Sequence, residues 1–270
     1  MRFAARTVIG LMALGVMAAH ASDADTVQPL VRAHAHNDYR HARPLLDALD
    51  HGFCSVEADV YLVDGQLLVA HDLDKTRPER TLEALYLDPL RERVRANGGR
   101  VFRDGPQFSL LIDIKSDAEA TYAALHKVFE SYAGLFTRFE GDDLQEEPVL
   151  AVISGARPVA TIAAQPLRYA AIDGRMPDLE SDAPASLVPW ISASWRDVFE
   201  WGGRGAMPEQ ERAKLDAIVA KAHAAGRRVR FWGLPWGGNV WPTLYEAGVD
   251  LINADNLPGL QRFLLQNSEF

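Results

Sequence analysis

Short apolar runs alternate along this chain with longer amphipathic stretches that stop at glycine. Residues 30–36 pattern as a strand, residues 42–51 as a helix closed by Gly52, and residues 54–62 as a second strand. The Asp64-Gly65 pair marks a turn, after which residues 67–71 read as a short returning strand. The region 74–106 is charged and irregular, with a helical turn expected at 81–86 and a helix at 89–97. Residues 108–115 (FSLLIDIK) form a clear strand pattern, followed by a helix over 117–132 that Asp117 is placed to cap. The second half keeps this rhythm. Strands are expected at 148–153, 168–172, 190–194, 228–234 and 250–254, and helices near 158–164, at 208–225, at 239–247 and from Pro258 onward.

That makes about eight βα units without an internal composition break, which predicts an α/β fold, a single-domain (β/α)8 TIM barrel. A doubly wound open sheet is the alternative. The strand ends favour the barrel. Their C-terminal ends carry His36, Glu57 with Asp59, Asp113 with Lys115, Asp173, Ser192 with Ser194, Trp232 and Asp255. In a barrel these ends share one mouth, where so many polar groups can satisfy one another.

Ahead of the first strand, Arg2 and Arg6 precede an apolar run from Val8 to Ala19 that closes in Ala19-His20-Ala21. A basic start, a short apolar stretch and a small-x-small end are the pattern of a secretory leader. Residues 1–21 are therefore expected to be removed and residues 22–270 to form the barrel domain, exported to a periplasmic or secreted location. About 12 apolar residues are too few to span a bilayer, so no stable membrane insertion is expected after cleavage. The formal charge is −9, and losing the two leader arginines takes it to −11. An acidic chain without a Lys/Arg cluster fits neither nucleic acid nor an anionic membrane surface. The single cysteine, Cys54, excludes an internal disulfide and reads as a buried, inert thiol in the second strand.

The chemistry concentrates in residues 31–72, which hold five of the eight histidines and a Glu-x-Asp pair. Alternate residues of a strand share a face, so Glu57 and Asp59 point one way while Val56, Ala58 and Val60 point the other. His34 and His36 form a second such pair. Histidines and carboxylates gathered at adjacent strand ends are the material of a metal-assisted acid–base site.

The ordered set His36, Glu57-x-Asp59, His71-Asp72 and Ile112-Asp113-Ile114-Lys115, with Phe231-Trp232 and Gly248-Val249-Asp250 late in the chain, resembles the glycerophosphodiester phosphodiesterase and phosphatidylinositol-specific phospholipase C-like superfamily of barrels. More narrowly, HNDY, SVEADV and RTLEALYLDPL resemble the fungal "altered inheritance of mitochondria" branch and its bacterial relatives. Two departures stand out. His36-Asn37-Asp38 stands where glycerophosphodiesterases carry His-Arg-Gly, so a phosphate-binding arginine is missing, and the third carboxylate is Asp113 where a glutamate is usual.

The resemblance implies a phosphoric diester hydrolase acting on a small-molecule or lipid phosphodiester. One divalent cation, Mg²⁺ or Ca²⁺, would be held by Glu57, Asp59 and Asp113, since hard oxygen ligands suit these ions. His36 would generate the nucleophile, His71 would protonate the leaving alkoxide, Asp72 would orient His71, and Lys115 would add fixed positive charge. Asn37, Arg157 and Trp232 are the expected substrate contacts, with Arg157 standing in for the missing arginine. Two alternatives remain at this point. His34-x-His36 also opens metallohydrolase barrels of the amidohydrolase and polymerase-histidinol-phosphatase kind, although these need further histidines late in the barrel, where this chain has only His126 and His223. The other is a barrel that has lost activity and only binds a ligand.

Overall fold

The computed structural model describes residues 27–141 and 143–267, and the expected leader at 1–21 lies outside them. Its strands are β1 (Leu30–Ala35), β2 (Phe53–Val63), β3 (Gln66–Val69), β4 (Phe108–Ile114), β5 (Arg138–Glu140), β6 (Asp143–Gln145), β7 (Val149–Gly155), β8 (Leu167–Arg168), β9 (Ala170–Gly174), β10 (Trp190–Ser194), β11 (Arg228–Trp232) and β12 (Leu251–Ala254). The helices are α1 (Leu46–Asp50), α2 (Asp88–Ala96), α3 (Ala118–Ser131), α4 (Val159–Ala164), α5 (Trp195–Val198), α6 (Glu209–Ala224), α7 (Val240–Glu246) and α8 (Leu257–Asn267). Among the described residues no helix is long and apolar enough to cross a membrane.

Eight strands pair in parallel in the order β1-β12-β11-β10-β9-β7-β4-β2, and β1 pairs again with β2 to close the ring. The expected (β/α)8 barrel is the observed fold, and the open sheet is excluded by that closing pair. The antiparallel hairpin partner of β2 is β3, as the Asp64-Gly65 turn predicts. Period-two patterning sorts the side chains. Val56, Ala58 and Val60 join the large apolar layer between strands and helices, whereas Ser55, Glu57 and Asp59 point into the barrel.

Inside the barrel only a small apolar plug forms, from Leu111, Val152, Trp190 and Leu251. The rest of the interior is polar and buried, with His34, Glu57, Asp59, Asp173, Arg230 and Asn253 among its members. Burying such groups is tolerable only if they bond one another. That requirement shapes the site.

Three local expectations need correction. The run 168–172 is not one strand: Leu167–Arg168 joins β5 and β6 in a separate antiparallel sheet, and the barrel strand begins at Ala170. Strands of two or three residues are too short to show a period, so this sheet left no sequence signal. The first helix begins at Leu46 rather than 42, because Asp38 captures the Leu45 amide at 2.5 Å and holds Leu45 at φ 65°. The turn at 81–86 is a π-helical turn, Glu83–Leu87, that runs directly into α2. Asp117 caps α3 as expected, accepting from the Ala120 amide at 2.9 Å.

Candidate active site

Strand register brings the carboxylates together. Asp59 of β2 stands opposite Asp113 of β4, which in turn stands opposite Ser154 of β7. Glu57 lies one inward position below Asp59. Oxygens of Glu57, Asp59 and Asp113 all fall within 4.8 Å of one another. Gly155, at the end of β7, adopts φ 67°, and a Cβ there would lie 2.0 Å from Asp113 Oδ1. Only glycine leaves this space open.

The three acids are not electrically alike. Burial pushes Glu57 up, but Arg230, donating to its Oε2 at 2.9 Å, and then His34 overcome that and hold it well below the usual carboxylate range. Burial dominates at Asp59 and Asp113 and raises both, despite Lys115 at 3.4 Å and 3.0 Å respectively. Burial lowers Lys115, but the pull of Asp113 and Asp59 exceeds it, so the ammonium is held charged above its ordinary value. Asp59 Oδ1 and Asp113 Oδ1 are buried with no hydrogen-bond partner. Two orphaned carboxylate oxygens beside a third acid are a donor set that a hard divalent cation fits.

Each histidine at the mouth is oriented by an acid. His36 Nδ1 lies 2.9 Å from Asp255 Oδ1, and its Nε2 lies 4.0 Å from Glu57. The hydrogen bond from His36 in turn lowers the Asp255 carboxyl. His71 Nδ1 lies 2.9 Å from Asp59 Oδ2. This corrects the expectation for Asp72, which is exposed; the carboxylate that aligns His71 is Asp59.

The two histidines are joined through Asn37 and Tyr39. Asn37 Nδ2 lies 3.1 Å from the His36 ring, and the Tyr39 hydroxyl lies 2.6 Å from both Asn37 Oδ1 and Asp59 Oδ2 and 3.2 Å from His71 Nδ1. Burial and the adjacent Asp59 raise Tyr39 above its ordinary value, so it stays protonated and donates. The carboxylate is its stronger acceptor.

His36, Glu57, Asp59, His71, Asp113 and Lys115 are therefore gathered at one mouth, with Asn37 held behind them. Arg157 donates through its guanidinium to the Asp173 backbone carbonyl at the end of β9, beside Arg175, which pairs with the Asp173 carboxylate at 2.7 Å. Trp232 is 41% exposed at the end of β11. His34 is fully buried, bonded through Nδ1 to Ser55 at 2.7 Å. Burial first, then Arg230, push it down to about 4, and its Nε2 lies 3.6 Å from Glu57 Oε2. Among the described residues the group of three or more acids, histidines or cysteines placed to share a metal ion is Glu57, Asp59 and Asp113.

Sequence reading passed over Arg230, Asp255 as the partner of His36, and Tyr39. Arg230 carried a signal: it shares the inward face of its strand with Trp232, and a charge on that face needs an opposite charge within the barrel.

The AIM6-like phosphodiesterase domain family matches residues 22–172 of the chain. The altered inheritance of mitochondria protein 6 of Eremothecium gossypii is 30% identical over 273 residues, covering 88% of this chain and 70% of that protein. That of Saccharomyces cerevisiae (strain RM11-1a) is 31% identical over 268 residues, covering 83% of this chain and 68% of its own length. A glycerophosphodiester phosphodiesterase structure from Parabacteroides distasonis superposes with a TM-score of 0.53 at 13% identity, covering 90% of this chain and all of that one, a likeness of fold.

Proposed function

The chain belongs to the AIM6-like phosphodiesterase domain family, and from that premise we propose that it is a metal-dependent phosphoric diester hydrolase working through two histidines. The observation that carries this reading is the carboxylate trio with its two orphaned oxygens, flanked by the His36–Asp255 and His71–Asp59 pairs. Glu57, Asp59 and Asp113 would hold a divalent cation, Mg²⁺ or Ca²⁺, which supplies neutralising charge to the phosphate oxygens. Everything else is done by side chains of this chain.

Asp255 accepts from His36 Nδ1, which leaves Nε2 as the basic nitrogen facing the site. His36 takes a proton from an attacking water as the water oxygen bonds to phosphorus. The opposite P–O ester bond breaks, and His71 gives its proton to the departing alkoxide. The products are one alcohol and one phosphate monoester. Asp59, bonded to His71 Nδ1, aligns the ring and stabilises its charged form before transfer. Lys115 stands 3.0 Å from Asp113 and adds fixed positive charge beside the reacting phosphate. Asn37 and Trp232 are proposed as substrate contacts, with Arg157, anchored on the Asp173 carbonyl, as a third.

The substrate is proposed to be a glycerophosphodiester or phospholipid-type diester. The protein is proposed to be exported by its N-terminal leader and to act without nucleic acid or stable membrane insertion. Product analysis on glycerophosphodiesters, inositol phospholipids and lysophospholipids tests the reading, with phosphate monoesters as the control. Release of one alcohol and one monoester from a diester is expected, with monoesters left intact. Hydrolysis of monoesters alone, or of none of the panel, would overturn it.

A further inference from the structure

Beside the His36–Asp255 pair lies a cleft of about 630 Å³ whose remaining walls have no part in the reaction described above. One end is walled by His36 and Asp255, and the other by the loop that joins β11 to α7, with Leu234, Trp236, Val240 and Trp241 lining it. His36 is a shared wall. Its Nε2 faces Glu57 at 4.0 Å, while the same ring borders the apolar cleft. The cleft therefore adjoins the carboxylate site across the His36 ring, within reach of a substituent on a phosphate held there.

Two features argue that the cleft is built for an apolar occupant. Trp236 is 95% exposed, the most exposed of the large apolar side chains among the described residues. A large aromatic in water gains nothing for the fold, and such residues beside a cavity mark ligand sites. The loop that carries it is nonetheless pinned. Gly237 packs so closely on Gly203 that a Cβ would lie 2.1 Å from the Gly203 carbonyl oxygen, and the Asn239 side chain donates to Gly205 at 2.9 Å. Trp236 is thus held out by a fixed loop. The volume is in the range that encloses a drug-sized apolar ligand, well beyond what a glycerol needs.

We propose that this cleft receives a single acyl or alkyl chain carried by one of the alcohols on the phosphodiester, with Trp236 as the lip over which the chain lies. The proposal rests on the phosphodiesterase reading and names its substrate class as single-tailed lipid phosphodiesters.

The test is a tail-length series. Hydrolysis of glycerophosphocholine is compared with that of lysophosphatidylcholines bearing progressively longer acyl chains, all kept monomeric. For the native protein, kcat/KM should rise by up to roughly fourfold per added methylene while the chain still fits, then level off. Trp236→Ala should flatten that dependence and Trp236→Phe should keep most of it. Presenting the same lipids in phosphatidylcholine vesicles tells whether the tail is drawn from solution or from a bilayer. Tail-independent kcat/KM in an active native protein would overturn the proposal and leave the phosphodiesterase reading intact. If no diester is hydrolysed, titration with octyl phosphate decides the matter by tryptophan fluorescence. A saturable change in the native protein, with an octyl phosphate affinity that calorimetry finds weakened in Trp236→Ala, supports the tail site, and no binding overturns it.

Discussion

At the scale of single residues, the carboxylate trio combines acids of opposite electrostatic character. Glu57 is held ionised by Arg230, buried against it at 2.9 Å. Its contribution to stability is full above the carboxylate range and is lost as acid titrates it through its depressed value. Asp113 is the reverse. Its raised value means that its charge opposes folding once pH rises past that of an unfolded aspartate, in the protein freed of metal. Glu57→Gln takes from buried Arg230 its nearest carboxylate, leaving it Asn253 at 3.0 Å and Asp173 at 4.0 Å, and should cost on the order of 3 kcal/mol. That corresponds to a fall in Tm on the order of 10 °C for a chain of this size. Asp113→Asn should leave Tm unchanged or raise it, since it removes a buried charge and keeps the volume. Thermal melts of both variants in chelator check the contrast. A large loss in Asp113→Asn would make Asp113 a structural partner of Lys115.

At the scale of elements, the two histidines arrive from different places, His36 from the end of β1 and His71 from the return of the β2–β3 hairpin. On the proposed reaction that separation would set them on opposite bonds of one phosphorus. A general acid matters in proportion to the basicity of the leaving group. His71→Ala should therefore cost on the order of 10²–10⁴ on an alkyl phosphodiester and far less on a p-nitrophenyl diester. His36→Ala should damage both alike, and kcat/KM for the four combinations reads the roles out. Rescue of His36→Ala by the good leaving group would mean that the roles are exchanged. Most of this was legible beforehand. The Glu-x-Asp alternation put two acids on one face, the βα rhythm called for a closed barrel, and motif order selected Asp113 and Lys115. What escaped was set by neighbours distant in sequence. Arg230 is 173 residues from Glu57, Asp255 is 219 from His36, and the partner of His71 proved to be Asp59 across the hairpin, not its neighbour Asp72. A local pattern cannot report contacts that exist only once the ring closes.

At the scale of the whole molecule, the barrel divides its duties between two layers. The apolar layer between strands and helices supplies the core, which frees the barrel interior to hold an interlocked polar set from His34 and Asn253 up to the carboxylates. Barrels support chemistry at the C-terminal mouth for this reason, because stability is vested elsewhere. The interior leaves two of its carboxylate oxygens without partners. On this account a hard divalent cation completes them and is needed for turnover. The most direct test is diester hydrolysis by the native protein after exhaustive chelation, then after adding back Mg²⁺ or Ca²⁺. Activity should vanish with chelation and return with one of these ions, in proportion to the metal bound. Full activity in the chelated, metal-free protein would contradict the account.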